Sequence, residues 1–378
     1  MGRHKYILAL VISLSIFNIA FHLYAYRNGI LWDLAVYQTA VENIENNSNP
    51  YATGQGLLFI YHPIVLGLFR ILAQINLSIG LGLFYLISVL FIYLSLGHKY
   101  SKELLLSISF GGLGLTSFAT GNVTTFLHLF LLALLLKGVR NDNYYLSYPI
   151  IILFSLIKPY FLAYIFVPIF VNQSDLKKQI KWCLLFIATY VAIIILYHVV
   201  NPDIAGKFYA ALYYQTLAKG DIGYSFFFWA SKLTHSDLIS IILHSIFSIA
   251  LVVSFYFFRL RWFGKNLSKT NALFMTYFVL TIINPRMKEY DLFPALLALF
   301  IFGKNVLGEK FLKYYLASLT VVSVPLLVQI LTQLWGLSPS IYLTNYWLWQ
   351  WGSILVFLAA IFLNKRFINM RLSNLSAY

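Results

Sequence analysis

The sequence predicts an all-α protein that crosses a membrane several times, and three observations support this fold class. Of its 378 residues, 60% are hydrophobic and only 10% are charged, with a mean hydropathy of +0.78, which is outside the range of soluble globular domains. No stretch alternates apolar and polar side chains as a β-barrel strand of about 10 residues would. Several apolar runs approach or reach the roughly 20 residues that cross about 30 Å of hydrocarbon as a helix. They are 6–26, 182–200, 238–258 and 346–363.

The basic residues form small clusters between the apolar runs, and this alternation predicts the topology. By the positive-inside rule the clusters face the cytoplasm, so the opposite ends of the spans meet on the outer side. We expect about 12 crossings in a single domain, 1–378. The net charge of +15 is spread over loops rather than one soluble face, which argues against nucleic-acid binding. The clusters lie at 3–5, 99–102, 137–140, 177–181, 259–269, 304–313 and 365–371.

Two regions depart from regular spans. Segments 57–73 and 78–97 lie between an outer loop and an inner cluster, where parity permits one crossing or three, so one of them is expected to be re-entrant or interfacial. The arms 146–157 and 161–171 are only about 12 residues each and meet at Lys158-Pro159. Broken helices of this kind are tolerated at membrane depth only where the backbone lines a protein cavity.

The first outer loop contains a candidate catalytic carboxylate, Asp33. Leu34, Tyr37, Val41 and Ile44 follow at helical spacing, which predicts a short amphipathic helix on the membrane surface. Asp33 occupies the position of an N-cap, a role for which aspartate is favoured. It could instead act as a general base at the outer mouth of the bundle, and the sequence leaves both roles open.

Six short motifs, in order, resemble a known family. They are Trp32-Asp33-Leu34-Ala35-Val36-Tyr37, Asn49-Pro50-Tyr51, Tyr61-His62-Pro63, Gly121-Asn122-Val123-Thr124, Ile157-Lys158-Pro159, and Asn284-Pro285 opening a stretch to Asp291. Together they resemble the polyprenol-phosphate-mannose-dependent α-1,2-mannosyltransferases of glycosyltransferase family 87, which have the GT-C fold. The resemblance covers about residues 28–300. The chain departs from the family at Thr124, where the family tends to have asparagine, and at 289–291, where it often has histidines.

The resemblance implies an inverting sugar transfer. Asp33 would deprotonate an acceptor hydroxyl, which attacks the anomeric carbon of a polyprenyl-phosphate sugar. The leaving phosphate needs nearby cations, for which Lys158, Arg286 and Lys288 are the candidates. Further substrate contacts are expected from Tyr37, His62, Asn122, Glu289, Tyr290 and Asp291.

Each candidate also has a structural interpretation. Lys158 is flanked by apolar residues, and such a lysine marks a functional site unless it snorkels from a helix end to the interface. Arg286 and Lys288 could belong to a solvated turn. His62 could be a packed interfacial histidine.

The remaining predictions concern partners and location. The first outer loop lacks an Asp-x-Asp pair, so we expect neither a metal nor another cofactor. The expected partners are a polyprenyl-phosphate-linked donor carrying mannose or another hexose or pentose, a lipid or glycan acceptor, and the membrane. The expected location is a bacterial inner membrane with the active site on its outer face. The alternatives are a multi-pass transporter or lipid flippase, an O-antigen-ligase-type enzyme, and a purely structural membrane subunit.

Overall fold

The structure, a computed structural model, describes most of the chain, and every regular element in the described part is helical. The described residues are 2–25, 31–53, 58–74, 76–172, 176–218, 223, 225–258, 267–335 and 346–364.

The α-helices follow one another through short connections. They are α1 (Gly2–Ala25), α2 (Trp32–Glu45), α3 (Pro63–Ala73), α4 (Leu77–Leu96), α5 (Ser101–Ser109), α6 (Leu113–Ala119), α7 (Val123–Asn141), α8 (Ser147–Ile157), α9 (Val167–Val171), α10 (Leu176–Val200), α11 (Pro202–Tyr213), α12 (Phe226–Thr234), α13 (Asp237–Phe258), α14 (Lys269–Ile282), α15 (Glu289–Leu307), α16 (Phe311–Leu334) and α17 (Tyr346–Phe362). Shorter 3-10 turns occur at His98–Tyr100, Phe110–Gly112, Pro159–Phe166 and Gly308–Lys310, and a π turn at Tyr214–Ala218.

Five helical segments in the described part are long and apolar enough to cross a membrane. They are Leu77–Leu96, Val123–Asn141, Leu176–Val200, Asp237–Phe257 and Glu289–Thr332, the last of which contains α15 and most of α16. Several of them expose apolar side chains around the perimeter of the bundle. In α10, only 6% of the 18-residue apolar stretch is buried. An apolar perimeter of this kind is compatible with an integral membrane protein. The expected 12 crossings stay a prediction.

The core is formed by α7, α14 and α15. Consecutive residues of α15 from Tyr290 to Gly303 are buried, because the helix packs against α5, α6, α7 and α14. Gly303 allows α17 to approach closely: a Cβ atom there would lie 2.5 Å from Cε1 of Phe357. Small residues permit such close approach between helices that cannot rely on water for their association.

The irregular regions lie where the sequence predicts them, with one correction. α3 has 11 residues and is too short to cross about 30 Å, whereas α4 has 20 and is long enough. α8 ends at Ile157, and a 3-10 segment begins at Pro159. The predicted amphipathic helix exists as α2, but Leu34, Tyr37 and Val41 are buried in the protein core instead of lying on the membrane surface.

The two ends of the bundle differ in composition. Lys99 and Arg140 line a polar cavity at one end, together with Ser268 at the start of α14. Asp33, Asn122 and Lys158 meet at the other end. α7 joins the ends through 19 residues, or roughly 28 Å. The loops that contain Lys99, Arg140 and Ser268 therefore lie at the same end of the bundle, as the predicted alternation requires. The assignment of that end to the cytoplasm stays a prediction.

The contact between α15 and α17 can be tested at Gly303. Gly303→Ala places a methyl group against a rigid aromatic ring, so we expect a loss of about 1–3 kcal/mol, measured as a lower Tm in detergent. Gly67→Ala is the matched control, because no atom lies within 4 Å of its added Cβ and alanine is the better helix former. A stability loss at Gly67 equal to that at Gly303 would contradict this packing.

Candidate functional site

Asp33 is not the N-cap of α2, which corrects one of the two interpretations of this residue. The helix begins at Trp32, its N-cap is Leu31, and no side chain caps it. Main-chain oxygens at the end of α6 accept instead: Leu31 N donates to Ala119 O at 2.7 Å and Asp33 N to Thr120 O at 3.0 Å. The Asp33 carboxylate is therefore not used for capping.

Asn122 orients this carboxylate. Its amide nitrogen Nδ2 donates to Oδ2 of Asp33 at 3.1 Å, while its Oδ1 accepts from Thr124 N at 2.9 Å and so caps α7. One side chain thus fixes both a helix start and the carboxylate. The preceding Gly121 has φ +66°, and a Cβ atom there would lie 2.8 Å from the Leu31 side chain. The left-handed backbone favours glycine at this turn.

Two buried tyrosines support Asn122 from the other side. The hydroxyls of Tyr37 and Tyr61 are 2.8 Å apart, and the Tyr61 hydroxyl lies 3.5 Å from Oδ1 of Asn122. The Tyr37 hydroxyl also accepts from Val123 N at 3.3 Å. Tyr37 therefore stabilises the start of α7.

Lys158 lies between two aromatic rings at the break between α8 and the following 3-10 segment. Its Nζ is 5.1 Å from the ring centroids of both Tyr61 and Tyr290, a distance at which cation–π attraction operates. The side chain is buried, and within the described residues no ion pair holds it. A buried lysine that forms no ion pair could bind an anion.

Burial alters the pKa values of both groups. It raises the pKa of Asp33 to about 6, against the lowering effects of the Asn122 hydrogen bond and of Lys158. It lowers the pKa of Lys158 to about 7, with the nearby Arg286 guanidinium acting in the same direction. Both pKa values lie near neutral pH. Ionisable groups whose pKa values are shifted in this way are common at functional sites.

These groups line one narrow polar cavity of about 40 Å³, which has room for one or two waters. Its polar and aromatic walls are Asp33, Tyr37, Tyr61, Asn122, Lys158, Gln215, Arg286 and Tyr290. An apolar chamber of about 430 Å³ adjoins it, with Lys158 and Arg286 lining both. The chamber walls include Phe208, Leu212, Phe227 and Ile241. A larger apolar cavity of about 520 Å³ beside α17 is lined by no ionisable side chain.

The other predicted site residues are divided between the cavity and its surroundings. Arg286 and Tyr290 line the cavity, with Arg286 Nη1 3.4 Å from the Tyr290 hydroxyl. Lys288 and Glu289 are half-buried at the start of α15 and do not line either cavity. Asp291 is fully buried and does not reach the cavity.

His62 lies apart from the cavity as the N-cap of α3. Its Nδ1 accepts from Ile64 N at 3.3 Å, and its ring packs against His198 and Phe208. Burial, reinforced by His198, lowers the pKa of His62 to about 4, so the ring is neutral and its Nδ1 can accept. This geometry agrees with the packed-histidine interpretation.

Sequence reasoning did not assign roles to Tyr61, Gln215 and His128. Tyr61 belongs to a motif of the resemblance and could have been singled out by its position beside His62. His128 lies in an apolar helix, where an ionisable residue is a signal by itself. Gln215 carries no such signal, because only the fold brings the end of α11 to the cavity.

In the described part of the chain, no group of three His, Cys, Asp or Glu residues is arranged to hold a metal ion. Comparisons with family models, curated proteins and solved structures found no significant match to the chain. The likeness to family 87 therefore rests on the six motifs, and it stays a prediction.

The buried charge of Lys158 can be tested through stability. In the folded chain its pKa is about 7, against 10.5 for an ordinary lysine, so burial opposes the charge fully below pH 7. Between these values the folded protein has released a proton that the unfolded chain still holds, and stability rises with pH. Lys158→Met should therefore raise stability by about 1–2 kcal/mol near neutral pH.

The measurement is Tm in detergent from about pH 6 to about pH 10, with the gain shrinking as the pH rises. Lys207→Met, at an exposed position of α11, is the matched control and should change little. A gain that grows with pH would contradict the buried, charged state of Lys158.

Proposed function

We propose that the protein is a membrane glycosyltransferase that transfers a sugar from a polyprenyl-phosphate donor to an acceptor hydroxyl, with inversion. One observation carries the proposal: a carboxylate and two cations line a cavity that continues into an apolar chamber. The donor has the matching parts, which are a sugar, a phosphate and an apolar chain. Membership of family 87 and the GT-C fold with about 12 crossings belong to the same proposal.

The phosphate of the donor would lie between Lys158 and Arg286. These side chains separate the polar cavity from the apolar chamber, which is where the phosphate separates the sugar from the prenyl chain. Charge-assisted hydrogen bonds to phosphate are about twice as strong as neutral ones. The two cations also stabilise the charge that develops on the phosphate as the glycosidic bond breaks.

Asp33 would act as the general base. Asn122 orients the carboxylate through one of its oxygens, and the carboxylate lines the cavity that the acceptor hydroxyl would enter. The acceptor oxygen forms a bond to the anomeric carbon while its proton passes to Asp33 and the polyprenyl phosphate departs. A pKa of about 6 leaves the carboxylate ionised at neutral pH and raises its basicity above that of an ordinary aspartate.

The cavity must widen when the donor binds. A volume of about 40 Å³ holds one or two waters, so a sugar ring has to displace some of the lining side chains. The site would face outward in a bacterial inner membrane, at the end of the bundle opposite Lys99 and Arg140. The acceptor would be a lipid or a glycan.

The role of Asp33 is tested by Asp33→Asn. Asparagine keeps an oxygen that can accept from the Asn122 amide. Because the Asp33 side chain does not cap α2, no capping bond is lost, so Tm and donor binding should be preserved. It cannot accept the proton, so sugar transfer should fall by about 10²- to 10⁴-fold. Transfer is measured with radiolabelled sugar on purified polyprenyl-phosphate donors. Glu42→Gln, an exposed carboxylate of the same helix, is the control and should keep full activity.

If Asp33→Asn retains most of its activity across the pH range, Asp33 is not the base. Donor binding without transfer in the wild-type protein, under every acceptor tried, would instead favour a lipid flippase or transporter.

Donor binding is tested by Lys158→Ala. Removing a charge-assisted hydrogen bond costs about 1.5–3 kcal/mol, so the affinity for a polyprenyl monophosphate should fall roughly tenfold to a hundredfold. Lys158→Arg should restore part of it. Calorimetric titration in detergent measures the Kd, with Lys207→Ala as the exposed control. Unchanged affinity in a folded Lys158→Ala protein would exclude Lys158 from the phosphate site.

A further inference from the structure

Asp291 is a fully buried carboxylate whose contacts are all within the protein. Its Oδ2 accepts from Lys288 N at 2.8 Å, which caps the first turn of α15. Its Oδ1 accepts from the Tyr160 hydroxyl and lies 3.3 Å from Nε2 of His128. Both oxygens are thus in use, and neither faces the polar cavity. The sequence-based prediction that Asp291 contacts substrate does not fit this geometry.

The two segments held by this carboxylate are those that carry the site's cations. Tyr160 stands two residues after Lys158, and Lys288 stands two residues after Arg286. In the described residues, Asp291 is a single side chain that bonds to both segments. Asp291 thus links the two segments from behind the cations, while Tyr290 contacts Lys158 and Arg286 directly.

His128 completes the arrangement. The Tyr277 hydroxyl donates to the main-chain oxygen of His128 at 3.1 Å and lies 2.7 Å from Nδ1. Nε2 lies 3.3 Å both from Oδ1 of Asp291 and from the Tyr160 hydroxyl. His128 therefore contacts both members of the bond between Asp291 and Tyr160.

We propose that Asp291, held by His128, is a positioning residue that sets the spacing of Lys158 and Arg286 and thereby the affinity for the lipid phosphate. The inference rests on the proposed donor site. It assigns a role to His128, which lies on α7 at the core of the bundle. The role of Asp291 changes from contacting the substrate to positioning the segments that carry Lys158 and Arg286.

The geometry explains why this support has to be rigid. Lys158 is the C-cap of α8: its main-chain N–H donates to Phe154 O at 2.8 Å, but its φ of −137° is not helical and α8 does not continue past it. The Tyr160 ring is also stacked on Phe161 at 4.9 Å, which restricts the ring itself without connecting it to α15. The hydroxyl of Tyr160 provides the connection to α15.

Tyr160→Phe tests the connection with the least change in packing. The ring and Lys158 remain, and the contacts of the hydroxyl with Asp291 and with Nε2 of His128 are lost. We expect the Kd for undecaprenyl monophosphate in detergent to rise by roughly tenfold, toward the loss expected for Lys158→Ala, because a misplaced Lys158 weakens its charge-assisted hydrogen bond to the phosphate. Tyr148→Phe is the matched control: it also removes a buried hydroxyl, which bonds to Gln179 at 2.7 Å, but far from the cavity. It should leave the Kd unchanged at a similar cost in Tm.

A double-mutant cycle separates positioning from a general loss of structure. If Tyr160 acts through Lys158, adding Tyr160→Phe to Lys158→Ala should weaken binding little further, because the group being positioned is already absent. Independent, additive losses would overturn the proposal.

The role of His128 is tested by a conservative and a non-conservative substitution. Glutamine can donate an N–H to Asp291, so His128→Gln should keep a Kd within a few-fold of the wild type. His128→Leu cannot, and should weaken binding at least as much as Tyr160→Phe. Equal affinities for the two variants, with both proteins folded by Tm, would contradict the assignment of His128.

The outcomes distinguish this inference from the proposed function. Normal affinity in Tyr160→Phe, together with weak binding by Lys158→Ala, would overturn the positioning role and leave the donor site standing. Normal affinity in Lys158→Ala would overturn both.

Discussion

The main-chain groups at helix ends must find partners, and this requirement organises the whole of the candidate site. The start of α2 donates to carbonyls at the end of α6, the start of α7 is capped by Asn122, and the start of α15 is capped by Asp291. Asn122 and Asp291 are buried, and at a buried helix end the main-chain groups must meet one another or a polar side chain. The polar side chains of the site are concentrated where these ends meet.

This arrangement lets one side chain serve the fold and the site together. Asn122 satisfies an amide of α7 and orients Asp33 in the same geometry, while Asp291 satisfies an amide of α15 and bonds to the segment of Lys158. The stability of the bundle and the placement of the reactive groups are therefore coupled. Lys158 is the exception, since its burial opposes its own charge and no ion pair in the described part of the chain compensates for this.

The sequence predicts the helical class and the helix break at Lys158 well, because both depend on local patterns of apolar residues and proline. It also singles out Asp33, Asn122, Lys158 and Arg286, and the structure brings these four to one cavity. It fails where tertiary contacts decide. The capping role given to Asp33 is wrong because carbonyls at the end of α6, from a distant part of the chain, accept from the main-chain N–H groups at the start of α2.

The pairing of His128 with Asp291 could not be predicted for the same reason. The two residues are 163 positions apart, and neither has a local signal that names the other. His62 illustrates the opposite case, in which a chemically attractive residue is used by its own helix as a cap. Local patterns also do not determine the number of membrane crossings. Short helices such as α3 and α8 have only 11 residues each, which is too few to cross the hydrocarbon alone.

The closeness of Asp33 to the two cations has an electrical consequence for the proposed transfer. In the loaded site, one negative charge on Asp33 and one on the donor phosphate balance Lys158 and Arg286. When the acceptor proton reaches Asp33, the negative charge reappears on the departing phosphate, and the sum in the cavity does not change. Because a pKa of about 6 lets Asp33 release that proton again at neutral pH, the cavity then gains a negative charge. That charge repels the phosphate product, so regenerating the base would also favour release of the spent lipid.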